Sequence, residues 1–289
     1  MPSENLRGSL FMVLAMAAFA IEDMFIKAAA TVIPTGIVLS LFGLGGMLAF
    51  MLMAKHQGEA IFHPAAISKR MGMRAFFEII GRLFFVLAIT LTPLSSASTI
   101  LQATPLVVVL GAALFMGERV SMDRWLAIGI GFVGVLVVIR PGVDNFEPLS
   151  LLAVIAMLGF AGRDLATRAA PPVLSNRQLG IYGFMVLIPS GLAIQWYAPQ
   201  AIQYDVLSSI QLLAAVAFGV AAYYWLTIAM RTGQVAAVTP FRYTRLLFAI
   251  ALGMLVFNEQ PDTMTLLGGL IIVASGIYIL MQNRPTITN

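Results

Sequence analysis

The chain contains no cysteine, two histidines and few charged side chains. The absence of cysteine excludes disulfides, thiolate catalysis and cysteine-based metal sites. His56 and His63 share one polar loop with no third ligand near them, so we predict neither a metal site nor a cofactor. The HExxH, GxSxG and Walker patterns are also missing, and no extramembrane segment is long enough for a soluble catalytic domain. We therefore predict that the protein is not an enzyme.

The composition is that of a membrane protein. Of the 289 residues, 60% are hydrophobic and 10% are charged, whereas soluble domains carry about 25% charged residues. The mean hydropathy is +0.93. Seventeen Lys and Arg against thirteen Asp and Glu give a net charge of +4. In a membrane protein such an excess collects in cytoplasmic loops, so we predict lipid contact and no nucleic-acid partner.

Long apolar runs follow one another along the whole chain. A membrane-spanning helix needs about 20 mostly apolar residues, and ten segments meet this requirement. The sequence thus predicts an all-α integral membrane fold with ten transmembrane helices. The predicted segments are 8–31, 34–54, 75–91, 94–116, 124–140, 149–170, 178–198, 208–230, 235–257 and 263–282.

Positive residues are concentrated in the loops on one side of these segments. The opposite side holds only Arg140. Because Lys and Arg are enriched in cytoplasmic loops, the asymmetry predicts a multi-pass protein of the bacterial inner membrane with both termini in the cytoplasm. The residues of the basic side are Arg7, Lys55, Lys69, Arg70, Arg74, Arg119, Arg124, Arg168, Arg177, Arg231 and Arg284.

The second half of the chain repeats the first at a constant offset of 141 residues. Residues 10–30 match residues 151–170, and the register carries charged positions as well as apolar ones. Each half, 1–141 and 148–289, therefore holds five predicted helices, and this odd number gives the halves opposite orientations. Inverted repeats of this kind are the architecture of many secondary transporters. The matched charged pairs are Asp23 with Asp164, Lys27 with Arg168, and Glu118 with Glu259.

The ends of the fourth helix in each half resemble a known family. The first half has Gly117-Glu118-Arg119 there, and the second half has Phe257-Asn258-Glu259. With the glycines of the fifth helices, this pattern is similar to the EamA-type transporters of the drug/metabolite transporter superfamily. Residues 93–98 and 241–245 further resemble a proteobacterial subgroup. Family members move amino acids, riboflavin, S-adenosylmethionine and organic acids, so the resemblance implies transport without fixing the substrate.

Two arginines lie inside the ninth apolar segment, where each costs about 2.5–3.5 kcal/mol to insert. Arg242 and Arg245 are three residues apart and share one helix face, roughly 10–15 Å into the membrane. Pro240 and, in the fourth segment, Pro105 remove backbone hydrogen bonds and are predicted helix breaks. The predicted substrate-binding residues are Arg242, Arg245, Tyr243, Gln102, Arg82, Arg163 and Tyr223.

Acidic residues at membrane depth predict a coupling or charge network. Spacings of four residues allow pairing within one helix. Arg242 and Arg245 have no acidic residue within one turn of their own helix, so either they pair with acidic residues of other helices or they bind an anionic ligand. We expect Glu118 and Glu259, at helix ends, to cap or to pair. The network candidates are Glu22, Asp23, Lys27, Glu78 and Asp164, with the i,i+4 pairs Glu78–Arg82, Asp23–Lys27 and Asp164–Arg168.

These features favour a secondary transporter that moves a small polar metabolite by alternating access. We expect an amino acid or organic acid whose carboxylate binds the arginines, with protons as candidate coupling ions at Glu22, Asp23 or Asp164. A cationic or neutral substrate, such as S-adenosylmethionine or riboflavin, stays open, as does the choice between monomer and homodimer. Alternatives of another class are a lipid-modifying membrane enzyme and a channel.

Overall fold

The computed structural model describes residues 2–115, 121–140, 147–168, 171, 173–232 and 238–282. All regular structure within these ranges is helical. Two 3₁₀ helices, Pro64–Ile67 and Thr239–Tyr243, accompany the α-helices. The α-helices are α1 Pro2–Ala29, α2 Thr35–His56, α3 Lys69–Leu91, α4 Leu94–Leu101, α5 Thr104–Phe115, α6 Met122–Ile139, α7 Ser150–Arg168, α8 Asn176–Met185, α9 Leu187–Tyr197, α10 Val206–Arg231, α11 Thr244–Phe257 and α12 Thr263–Gln282.

Seven helical stretches of the described chain are long and apolar enough to cross a membrane. Two of them run through a local break, Leu94–Phe115 across α4 and α5, and Asn176–Tyr197 across α8 and α9. Helix α3 is long but carries buried charges, α11 has 14 residues, and the apolar part of α12 ends at Ile279. The predicted all-helical membrane fold is confirmed, whereas the count of ten spanning helices remains a prediction.

The fourth predicted segment is interrupted at Gln102–Ala103, between α4 and α5. Pro105 has no N–H to donate to the carbonyl of Leu101, and the hydroxyl of Thr104 donates to that oxygen instead, at 2.6 Å. In the ninth predicted segment, the 3₁₀ helix Thr239–Tyr243 includes Pro240 and leads directly into α11. The fourth segment therefore changes helical geometry near its middle, and the ninth changes it in its first half.

The seventh predicted segment is also divided, at Val186 between α8 and α9. Pro189 cannot donate to the carbonyl of Met185, and Ser190 donates its hydroxyl to the Val186 carbonyl at 2.6 Å. The apolar run 178–198 predicts one continuous helix, so this break was not predicted, although Pro189 was the signal for it.

Contacts between helix ends define two faces of the bundle. On one face Lys27, near the end of α1, donates to the Thr92 carbonyl between α3 and α4, and lies 3.4 Å from Glu259 after α11. On the opposite face Glu59, after α2, pairs with Arg177 at the start of α8. We call the first the clamp face. We call the second the basic face because most of the positive loop residues belong to it.

The helices pair across the two halves of the chain. Helix α1 packs against α10, α3 against α7, α2 against α8 and α9, α6 against α12, and α4 against α11. Several crossings bring backbones very close: for example, a Cβ on Gly134 would lie 2.9 Å from the Gly268 carbonyl oxygen, and one on Gly36 would lie 2.5 Å from that of Gly191. Small residues permit such contacts between membrane helices. The α6–α12 and α2–α9 crossings thus join the halves through direct backbone packing.

Candidate functional site

One group of charged side chains lies deep inside the bundle. Glu22 and Asp23, neighbours on α1, are both 0% exposed. Arg82 of α3 donates to Glu22 Oε1 at 2.6 Å, and Arg245 of α11 donates to Asp23 Oδ2 at 2.6 Å. We call these four residues the sealed cluster. Because two guanidinium groups face two carboxylates, each buried charge has a partner that offsets its desolvation.

Aromatic rings surround both arginines of the sealed cluster. The Arg82 guanidinium lies 5.3 Å from the ring centroid of Phe42, and the Arg245 guanidinium lies 5.0 Å from that of Phe19 and 5.5 Å from that of Phe85. A cation over an aromatic face gains about 0.5–2 kcal/mol, with the larger values at desolvated sites. The rings therefore stabilise the arginines while they keep the cluster away from water.

Several buried polar atoms in these helices find no hydrogen-bond partner among the described residues. Buried polar groups are normally paired, since an unpaired one costs about 1–3 kcal/mol. Such a concentration marks a region where water or a ligand would find partners. The atoms are Glu22 Oε2, Asp23 Oδ1, Arg82 Nε, Arg245 Nε, Ser98 Oγ, Gln102 Nε2 and the Tyr243 hydroxyl.

A second group of charges lies between α3, α7 and the start of α11. Arg163 lies 2.8 Å from Asp164 and 3.4 Å from Glu78, in both cases between guanidinium nitrogen and carboxylate oxygen. Arg74 approaches Glu78 at 3.6 Å, and Arg242 approaches Asp164 at 3.9 Å. We call these five residues the open cluster, because the side chains of Arg242 and Asp164 remain 30% and 24% exposed.

The open cluster carries more positive than negative charge. Its three arginines face two carboxylates, and Arg242 is held most weakly because 3.9 Å is too long for a hydrogen bond. Arg74 also lines a cavity of about 500 Å³ at the basic face, between α3, α8 and the 3₁₀ helix Pro64–Ile67. Tyr223 of α10 lies close enough to interact with four charges of the cluster. The arrangement can accept an anionic group next to Arg242.

Phe160 of α7 lies between the two clusters. Its ring centroid is 4.8 Å from the Arg163 guanidinium of the open cluster and 6.0 Å from the Arg82 guanidinium of the sealed cluster. The ring packs so closely on α3 that a Cβ on Gly81 would lie 2.6 Å from it. One aromatic side chain therefore contacts an arginine of each cluster.

Two of the three predicted pairs within single helices, Glu78–Arg82 and Asp23–Lys27, do not form. Glu78 and Arg82 take partners on other helices, and so do Asp23 and Lys27. The third predicted pair ends in Arg168, whose side chain lies outside the described residues. The i,i+4 interpretation was wrong because each of these side chains points into the bundle, where a facing helix brings an opposite charge closer.

Arg242 and Arg245 both take acids from other helices, which is the first of the two alternatives that the sequence left open. They do so with unequal strength, since the Arg245–Asp23 distance is 2.6 Å and the Arg242–Asp164 distance is 3.9 Å. Among residues not predicted as part of the site, Arg74 belongs to the open cluster. Its spacing of four residues before Glu78 was the signal that could have placed it there.

A third polar group lies on the clamp face. Glu259 Oε1 accepts from the Leu94 N–H at 2.6 Å, and Oε2 accepts from the Ser95 N–H at 3.0 Å and its hydroxyl at 2.8 Å. We call Lys27, Leu94, Ser95 and Glu259 the clamp. The expectation that Glu259 caps or pairs is confirmed. Its counterpart in the repeat, Glu118, lies outside the described residues.

Comparison with known proteins places the chain among transporters. The EamA-like transporter family matches it twice, over residues 6–140 and 148–281. A riboflavin transporter from Rhizobium johnstonii is 25% identical over 96% of this chain and 92% of its own. An S-adenosylmethionine uptake transporter from Rickettsia conorii is 24% identical over 73% and 71%, and a pseudopaline exporter from Pseudomonas aeruginosa is 26% identical over 94% and 95%.

The fold also has a counterpart among solved structures. A crystal structure of a protein matches with a TM-score of 0.61 at 18% identity, covering 94% of this chain and 98% of that one. This likeness concerns the fold alone. The family and the named relatives confirm both the resemblance inferred from the sequence and the prediction that the protein is not an enzyme. The chain belongs to the EamA-like transporter family, and it is a multi-pass bacterial membrane transporter of a small molecule.

Proposed function

We propose that this transporter moves a small carboxylate-bearing metabolite, such as an amino acid or an organic acid, across the bacterial inner membrane. The observation that carries the proposal is the open cluster, in which three arginines face two acids and Arg242 is loosely paired. A substrate carboxylate that enters from the basic face can take two charge-assisted hydrogen bonds from Arg242. Its negative charge neutralises the excess positive charge of the cluster.

The proposed scaffold is two inverted five-helix repeats, 1–141 and 148–289, with ten membrane-spanning segments. In the repeat, α1 corresponds to α7 and α3 to α10, so the α1–α10 contact in one half-to-half pairing has its counterpart in the α7–α3 contact. The α2–α8/α9 and α6–α12 contacts each join a helix to its own counterpart. The family also matches once in each half. Both observations support a pseudo-two-fold arrangement, which permits alternating access by motion of one half against the other.

The proposed orientation has the basic face and both termini in the cytoplasm. Its support is the distribution of Lys and Arg, with Lys55, Lys69, Arg70 and Arg177 on the basic face and Arg140 on the clamp face. In this orientation the open cluster is reached from the cytoplasm, and the clamp closes the periplasmic side.

The predicted substrate residues take two different roles in this proposal. Arg242, Arg163 and Tyr223 make the first contact, because they lie in or next to the open cluster. Arg82 and Arg245 hold the sealed cluster. With Gln102 and Tyr243, they become available only when the barrier at Phe160 moves, and their unpartnered atoms then meet the substrate.

We propose the sealed cluster as the place for a coupling proton. Glu22 and Asp23 each have one carboxylate oxygen without a hydrogen-bond partner among the described residues. If Arg82 or Arg245 moves away from its acid, the acid is left buried and charged, which is costly, and protonation removes that cost. Proton uptake would then accompany a change in the arginine positions.

The test compares two arginines in transport assays. Purified wild type, Arg242→Ala and Arg177→Ala are reconstituted in proteoliposomes and tested with radiolabelled amino acids and organic acids. We expect Arg242→Ala to abolish uptake, and Arg177→Ala to preserve it, because Arg177 pairs with Glu59 outside both clusters. Unimpaired uptake by a folded Arg242→Ala protein would refute the proposed role of Arg242.

A cationic or neutral substrate is the second candidate, and the names of the relatives favour it. Riboflavin and S-adenosylmethionine are the substrates named for two of them. The open cluster also offers the acids Glu78 and Asp164, which are able to bind a cationic group. A thermal-shift screen with riboflavin, S-adenosylmethionine and carboxylates separates the candidates, since a ligand that binds the folded state raises its melting temperature. Stabilisation by riboflavin alone would replace the first candidate with the second, because riboflavin has no carboxylate, whereas S-adenosylmethionine carries one besides its cationic sulfonium.

A further inference from the structure

The clamp joins the two halves of the chain at a single carboxylate. Glu259 follows α11 in the second half, whereas Lys27, Leu94 and Ser95 belong to the first half. The carboxylate accepts three hydrogen bonds at the N-terminus of α4, where the helix dipole favours a negative charge. Lys27 adds a positive charge 3.4 Å from the same carboxylate.

The local backbone directs Glu259 into this position. Asn258 has a φ of 52°, which turns the chain out of α11, and the Glu259 N–H donates to the Gly253 carbonyl at 3.0 Å. A Cβ on Gly253 would lie 2.5 Å from Glu259 Oε2, so the carboxylate occupies space that only glycine leaves open. The turn and the glycine together aim the side chain at α4.

Lys27 ties a third helix to the same point. Its ammonium group donates to the carbonyl oxygens of Ile89 at 2.9 Å and Thr92 at 2.6 Å, at the end of α3. It also lies 5.1 Å from the ring centroid of Phe257, the last residue of α11. The ends of α1, α3 and α11 are thereby fixed to the start of α4.

The helices joined by the clamp are those that carry the two charge clusters. Helix α4 carries Ser98, one turn further into the bundle than the clamp. Helix α1 carries Glu22 and Asp23, and α3 carries Arg82. Helix α11 begins two residues after Arg242. The open cluster is partly exposed, whereas Glu22, Asp23 and Ser98 are fully buried. Through Arg74 the open cluster borders the cavity at the basic face, whereas the polar groups beneath the clamp are buried.

We infer that the clamp is the gate on this face, which must separate when the transporter exposes its interior to the other side of the membrane. This inference rests on the alternating-access cycle proposed above. The second ion pair on the same face, Arg140 with Asp262, joins α6 to α12, whose backbones are already in direct contact at Gly134 and Gly268. That pair lies on a fixed crossing and is not part of the gate.

The natural absence of cysteine gives a direct test, because each introduced cysteine is the only thiol. Ser98→Cys reports exposure beneath the clamp, and a membrane-impermeant maleimide is applied to intact cells and to inverted vesicles. Two substitutions are then added separately to the Ser98→Cys protein. Glu259→Gln removes the negative charge of the clamp, and Gly253→Ala displaces the Glu259 carboxylate without changing its charge. We expect each to raise the labelling rate of Ser98→Cys from the clamp face roughly tenfold, the effect of about 1.4 kcal/mol in the opening equilibrium.

Two control variants distinguish opening of the clamp from general loosening of the protein, and neither requires a substrate. Asp262→Asn breaks the neighbouring ion pair and should leave the labelling of Ser98→Cys unchanged. Ser190→Cys, a buried reporter on α9, should stay unlabelled in every background, since it donates within its own helix away from the clamp. An unchanged Ser98→Cys rate in both Glu259→Gln and Gly253→Ala would overturn the gate. So would equal increases at Ser190→Cys or with Asp262→Asn, because they indicate general loosening. Failure of the Arg242 transport test would leave this result unaffected.

Discussion

The sealed and open clusters contain the same chemical groups in two different states of pairing. In the sealed cluster both arginine–carboxylate distances are 2.6 Å, and the acids have no exposed surface. In the open cluster the distances run from 2.8 to 3.9 Å, and water reaches Arg242 and Asp164. Short, buried ion pairs hold helices together, whereas long, exposed ion pairs can exchange one partner for a ligand at a low cost in free energy.

This difference assigns separate roles to two arginines that the sequence places on one helix face. Arg245 belongs to the sealed cluster and Arg242 to the open cluster, only one turn apart. Variants that act on one cluster at a time test this distinction.

The largest effect is expected when a buried charge loses its partner. Arg245→Leu leaves Asp23 charged and unpaired in the interior, which should lower the free energy of unfolding by about 3–5 kcal/mol. Denaturation of the purified protein in detergent measures the change. The double variant Asp23→Leu/Arg245→Leu should recover most of the loss, because it removes both charges. A single variant as stable as the wild type would contradict the structural role of this pair.

A matched pair of glycines should show the difference in packing between the clusters. A Cβ on Gly219 would lie 2.9 Å from Phe42 and 3.2 Å from the carboxylate carbon of Glu22, so Gly219→Ala should destabilise by about 1–3 kcal/mol. A Cβ on Gly183 would lie 3.6 Å from both Arg74 and Glu78, an ordinary contact. Gly183→Ala should therefore be neutral or stabilise by up to about 1 kcal/mol through helix propensity. Parallel melting curves test this, and equal shifts would remove the contrast.

The loose arginine should matter little for stability. Without substrate, Arg242→Ala should change the free energy of unfolding by less than about 1 kcal/mol, because its ion pair is long and partly exposed. The measurement is the same denaturation experiment as for Arg245→Leu. A loss as large as that of Arg245→Leu would mean that the open cluster is a structural element, and it would remove the basis for substrate binding there.

The smallest effect is expected at an ion pair outside both clusters. The hydrogen bond from Arg177 lowers the pKa of Glu59 below its ordinary value of about 4.3. Since the folded state has the lower pKa, the stabilisation is fully present above pH 4.3 and is lost as the pH falls through the folded-state pKa. We expect only a few tenths of a kcal/mol, because water screens the pair. The wild type and Glu59→Gln should differ in melting temperature at pH 7 and converge as the pH falls below the folded-state pKa; a constant difference would contradict the assignment.

Much of the fold followed from patterns that depend on short stretches of sequence. Every predicted apolar segment coincides with helical structure among the described residues, because about 20 apolar residues in a row have few alternatives in a membrane. The division at Val186 was missed because Pro189 was read as part of a continuous apolar run. A single proline changes hydrogen bonding without changing hydrophobicity, so hydropathy alone does not detect it.

The partners of the charged residues could not be predicted in the same way. The spacing of Glu78 and Arg82 favoured a pair within α3, yet Arg82 binds Glu22 on α1. Asp23 and Arg245 are separated by 222 residues, and no local pattern connects them. Pairing across a bundle depends on which helix faces which, and that information is absent from the periodicity of any one helix.

The distance in sequence between Asp23 and Arg245 has a consequence for the synthesis of the protein. Helix α1 is made before α3 and α11, and Glu22 and Asp23 have no arginine within one turn on α1 itself. Arg82 follows 60 residues after Glu22, but Arg245 follows 222 residues after Asp23. During translation Asp23 therefore lacks its arginine partner until α11 has been made. A chain that stops before α11 therefore leaves Asp23 without the arginine that binds it in the folded protein.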